Sequence, residues 1–223
     1  RALHRRGLIT KEHLQEIEVA CREVTAEEVY AETERIGHEM RALVNCIRSK
    51  VSDGAKPFVH LTATSQDISD SARALQYGLM AFAIFIPKLV ELERVLIAIA
   101  EREAETAQIG RTHGQHAVPV TFGFHIAGYI SRLGNCIVRL QRLHRELEGK
   151  FSGAVGAHNA SSLLFDDPEA FEREVLAEWD IKPAECSTQI VPPEPLARFF
   201  HEAVLATGVM ADLADDMRHL QWT

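Results

Sequence analysis

The chain has 223 residues, 46% hydrophobic and 25% charged, with a formal net charge of −8 at pH 7. That is ample apolar material for a sizeable soluble core, and the acidic balance argues against nucleic acid as the main partner. No apolar run approaches the roughly 18–20 residues that span a bilayer, no signal peptide is visible, and Cys21, Cys46, Cys136 and Cys186 are too scattered for a zinc site or a disulfide framework, as in a cytoplasmic protein with reduced thiols.

The sequence opens at Arg1-Ala2-Leu3-His4-Arg5-Arg6 rather than at Met, as if inside a helix, so its start is expected to be missing. Thr10–Cys21 and Thr25–Lys50 predict two helices, the second opened by a capping box in which Thr25 bonds the Glu28 amide. The polar stretch His60–Asp67 follows. There Thr64 or Ser65 can cap the next helix with Asp67 in its first turn, or the same amides and hydroxyls can bind a carboxylate or phosphate. Apolar Leu89, Leu92, Leu96 and Ile99 recur at 3, 4 and 3, and predict a long helix.

Gly110 and Pro119 bracket a loop, after which Ile126, Ile130, Leu133, Ile137, Leu140 and Leu147 mark a second long helix, with His144 on its seam. Gly149–Gly156 ends that helix, and Asp166-Asp167-Pro168-Glu169 starts a shorter one running to Trp179. Beyond Pro192-Pro193-Glu194-Pro195, Leu213, Met217 and Leu220 mark a third long helix, which reaches Trp222-Thr223 without a stop signal. Strand patterns are poor throughout. The expected fold is all-α: a small helical N-terminal domain over 1–64, then a long-helix bundle over 65–223, with both the start of the first and the end of the second missing.

The loop Gly110–Pro119 concentrates polar groups. His113 there is a general acid or base by virtue of an unperturbed pKa near 6.5, or a hydrogen-bonding structural residue. With His116 it has HxxH metal spacing, but no cysteine or carboxylate stands nearby to complete a site, and no metal is expected.

Gly110-Arg111-Thr112-His113-Gly114-Gln115, with Ala117 and Pro119-Val120-Thr121-Phe122-Gly123, resembles the GRTHGxxAxPxTFG segment of bacterial adenylosuccinate lyases, in the fumarase/aspartase superfamily. His60–Asp67 is similar to their HxxxTSxD segment, Ser152–Gly156 to their SGAVG turn, and Ser187-Thr188-Gln189 to their STQ step, all in family order. The resemblance implies elimination of fumarate from adenylosuccinate and the succinylated aminoimidazole carboxamide ribotide of purine synthesis, without a cofactor. It implies His113 as the catalytic acid protonating the departing nitrogen, Thr64 and Ser65 holding a succinyl carboxylate, and His38, His60 and Gln189 contacting the substrate. It also implies a superfamily-type bundle and a homotetramer with shared active sites. Two positions depart from the family text: Gly37-His38-Glu39 replaces an Arg-His-Asp triplet, and Val191-Pro192-Pro193-Glu194 replaces an Arg-Asp step. The family's catalytic serine loop has no counterpart in these residues, so the chain alone is expected to be inactive. Other superfamily lyases (acting on argininosuccinate, fumarate/malate, aspartate or a carboxymuconate) and a non-catalytic helical scaffold are the alternative readings.

Overall fold

The computed structural model describes residues 1–221; Trp222 and Thr223, part of the predicted unstopped helix, lie outside the described residues. In chain order come α1 (Ala2–Arg5), α2 (Lys11–Glu23), α3 (Ala26–Ile36) and α4 (Glu39–Ser49), then α5 (Ser65–Met80) and α6 (Ile86–Arg102). After them come β1 (Ala107–Thr112), β2 (Gln115–Thr121), α7 (Phe122–Leu143), β3 (Glu148–Gly149), α8 (Pro168–Ala177), β4 (Lys182–Pro183) and α9 (Glu194–His219). The fold is mostly helical, with two small two-stranded sheets.

Most boundaries follow from local chemistry. Thr25 and Glu28 form the reciprocal capping box, and Asp167 accepts from the Ala170 amide with Pro168 in the first turn of α8. The predicted helix over Thr25–Lys50 is in fact two. Gly37, at φ 72, takes the left-handed conformation that ends α3, and His38 restarts the chain by accepting from the Arg41 amide. Between α5 and α6 the helix widens into a π segment, Ala81–Phe85. Pro87 follows two residues after it and has no amide to give the carbonyl four residues back, so the hydrogen-bond ladder must change there.

The chain forms two compact units. The first is Arg1–Ala74 with Glu148–Pro192; the second is Leu75–Leu147 with the chain from Pro193. The stretch 148–192, which the sequence reading assigns to the bundle domain, thus clusters with the N-terminal residues.

In the second unit α7 packs against α6 and α9. The buried positions are Leu89 and Leu96 on α6, Ile126, Tyr129, Leu133, Ile137 and Leu140 on α7, and Phe199, Ala206 and Val209 on α9. Their three-and-four spacing is the seam of a helix bundle. α7 stops at Leu143, so Leu147 is buried beyond the helix end, and His144 is its C-cap. Burial lowers the His144 pKa. α9 buries the half that begins at Phe199, while Leu213, Met217 and Leu220 are only half-buried.

The first unit has smaller cores. One comprises Ala20, Val44, Val51, Ala55 and Val59; the other comprises Ala2, Phe165 and Phe171, with Phe165 and Phe171 stacked 4.1 Å apart.

Candidate active site

In the first unit the polar stretch His60–Asp67 leads into α5, whose first residue is Ser65. The Thr64 amide donates to the Asp67 carboxylate at 2.8 Å. At this helix start a first-turn carboxylate thus reaches back to the amide preceding the helix, the reverse sense to the hydroxyl cap predicted. The approach is strained. His60 and Thr62 sit at φ 65 and φ 61, and a β-branched residue there costs about 1–3 kcal/mol, the kind of conformation that concentrates at functional sites.

His38 Nε2 lies 3.5 Å from Ser65 Oγ. His38, Ser65 and Gln189 line one cavity, together with Gln66, Ser69 and Arg73. Asp70 pairs with Arg73 of the same helix at 3.1 Å and accepts from the Val191 amide at 3.0 Å, tying α5 to the stretch that carries Gln189. So three of the predicted substrate-contacting residues, from three distant stretches of sequence, converge. Thr64 adjoins Ser65. His60 does not join them; it lines a separate, largely apolar cavity with Phe58, Leu61, Ala63 and Ile68. Burial lowers its pKa, the nearby Asp67 charge opposing that shift, so His60 favours the neutral form.

His113 stands in the second unit. The predicted loop Gly110–Pro119 is an antiparallel hairpin, with Thr112 paired to Gln115 and Ala107 to Thr121. His113 and Gly114 are its two-residue turn, at φ 54 and φ 70. Two successive positive φ values are what a type I′ turn needs, and Gly supplies one without strain. A bulge falls at Gly110, where a Cβ would come within 2.8 Å of the Val118 carbonyl. The fold thus displays the His113 imidazole, solvent-exposed, at the tip of the hairpin.

A family profile described as Lyase matches residues 1–223. The chain belongs to the lyase family. It is 37% identical over 191 residues to an adenylosuccinate lyase of Pyrococcus abyssi, covering 84% of this chain and 41% of that protein. It superimposes on a fumarate lyase from Mesorhizobium sp. BNC1 with a TM-score of 0.89 at 28% identity, over 100% of this chain and 52% of the other. The corresponding values for a 3-carboxy-cis,cis-muconate lactonizing enzyme from Pseudomonas putida are 0.86 and 29%, over 100% and 51%. The chain therefore spans about half the length of the proteins it matches, and the bundle is of the fumarate-lyase type.

Two groups in this chain escape a sequence reading. Lys150, fully buried, forms an ion pair with Asp67, itself 1% exposed, and donates to the Gly153 carbonyl at 2.8 Å. Gly153 in turn donates its amide to both Asp67 oxygens, at 3.3 and 3.2 Å. Ser152 and Ser187 share a hydroxyl hydrogen bond of 2.8 Å. At Gly156, φ 76, a Cβ would fall 2.0 Å from the Ser187 carbonyl, so only glycine fits. The hint in the sequence is that Asp67 closes the family-like segment His60–Asp67 and Lys150 stands two residues before Ser152–Gly156.

Proposed function

We propose that the full-length protein eliminates fumarate from adenylosuccinate, and from the succinylated aminoimidazole carboxamide ribotide, by general acid–base catalysis. The observation that carries this reading is the convergence of His38, Ser65 and Gln189 on one cavity, in a chain 37% identical to an adenylosuccinate lyase. Removing a proton beside a carboxylate builds charge on that carboxylate, and donors already in place stabilise it. Thr64 and Ser65, at the head of α5, are assigned that role, supported by the helix-start dipole and the first-turn amides that the helix itself leaves free. His38 and Gln189 complete substrate binding at this cavity. The departing nitrogen leaves only when protonated, and His113 is assigned the proton.

The assembly proposed is a homotetramer with shared active sites, in the cytoplasm. Exposed apolar residues of the second unit, among them Leu79, Phe82, Ile84, Val95, Val138 and Val204, favour association. The likeness to the Pseudomonas putida enzyme favours a second reading, action on a carboxymuconate.

The test is an absorbance assay of fumarate release from adenylosuccinate by the full-length protein and its His113→Ala variant. We expect the variant to lose about 10²–10⁴-fold in kcat. Equal activity would remove His113 from the mechanism, and lactonisation of 3-carboxy-cis,cis-muconate without fumarate release would replace the first reading by the second.

A further inference from the structure

The buried Asp67–Lys150 pair lies outside the cavity lined by His38, Ser65 and Gln189. It is nevertheless tied by hydrogen bonds to two of the segments that resemble the family. Asp67 is in the first turn of α5, two residues after Ser65, and its carboxylate holds the Thr64 amide. One turn further along α5, Ser71 Oγ accepts from the Lys150 amide and donates to the Lys150 carbonyl, both at 3.1 Å. Lys150 is thus gripped at its backbone by Ser71 and at its ammonium by Asp67. Its remaining contact, with the Gly153 carbonyl, reaches the turn Ser152–Gly156. From there Ser152 binds Ser187, two residues before Gln189.

Stability alone does not explain this choice of residues. Taking a carboxylate and an ammonium fully out of water carries a large desolvation penalty, and a well-packed neutral replacement of a buried ion pair is often as stable or more so. What the pair supplies and apolar packing does not is direction: each of its bonds has a fixed donor, acceptor and length.

We propose that Asp67 and Lys150 are positioning residues that set the spacing between the Thr64–Ser65 helix head and the turn leading to Gln189, and so the shape of the carboxylate-binding cradle. This rests on the assignment of Thr64 and Ser65 to a carboxylate. The pair touches no substrate itself; it acts through the backbones it holds.

The experiment uses the full-length protein with D67N/K150M, which removes both charges and keeps a side-chain acceptor for the Thr64 amide, and with Asp67→Glu, which keeps the charges and lengthens the arm by one methylene. Thermal midpoint, kcat and KM for fumarate release, and fumarate affinity by calorimetry are read together. The expected result is a midpoint near that of the unmodified protein with KM raised and fumarate affinity lowered at least tenfold. A folded variant with unchanged constants overturns the proposal. Should neither variant fold, hydrogen exchange on the unmodified protein decides: saturating fumarate slows exchange of the Thr64 and Gly153 amides if the pair is coupled to the cradle, and leaves it unchanged if the pair only holds the fold. An unmodified protein that neither releases nor binds fumarate would instead refute the lyase reading on which the proposal rests.

Discussion

The two compact units are held together by different kinds of interaction. In the second, α6, α7 and α9 bury an almost wholly apolar seam, and the polar groups that enter it are few, such as Glu202 against Cys136, whose thiol is pushed up to about 11 by burial and by that carboxylate. In the first, the apolar clusters are small, and Asp67, Lys150, Ser152, Ser161 and Glu172 are all buried. Glu172 accepts from the Phe151 amide at 2.6 Å, and burial raises its pKa despite that bond. A seam of apolar side chains tolerates small shifts because dispersion is non-directional. A set of buried hydrogen bonds does not, because each unmade bond leaves a desolvated group behind. The unit built the second way is the one that holds His38, Thr64, Ser65 and Gln189.

Substitutions can break this contrast. The largest effect is expected for Lys150→Met alone, which strands the buried Asp67 carboxylate and costs about 3–5 kcal/mol in denaturant unfolding; a loss below about 1 kcal/mol would mean that water or another group serves Asp67. Leu133→Ala on the α7 seam is expected to lose roughly 2–5 kcal/mol, according to how far the cavity collapses. Unlike Lys150→Met, it should be improved by refilling the cavity with any apolar side chain of similar volume, as scored by the same unfolding curves. Thr25→Ala removes one half of the capping box and should cost about 1 kcal/mol, localised to α3 by amide exchange.

The smallest effect concerns pH. His60 has its pKa lowered in the folded state, so its contribution is present above the ordinary histidine value and is lost as pH falls through the lowered one. A His60→Gln variant should therefore show a shallower loss of stability between neutral and mildly acidic pH; an identical pH profile would mean that His60 is not the group responsible.

Legibility followed the same division. The seam of α6 and α7, the Thr25 box and the Asp167 cap were readable because each depends on residues three or four apart. Gly37 was readable in principle as a left-handed stop, but the reading of Thr25–Lys50 as one helix runs through it. The hairpin at His113 was not read. Pro119 sits in one of its strands, and a two-residue turn written His-Gly is a weaker signal than Asn-Gly.

The sequence by itself determined the helical class, the Thr25 and Asp167 caps and the apolar stripes, since all of these are properties of neighbours along the chain. Only the tertiary structure decided that His38 meets Ser65 and Gln189 at one cavity while His60 faces another, and that Asp67 finds Lys150 83 residues away. Those pairings depend on how the backbone closes over long separations, and on desolvation that no local pattern of residue types records.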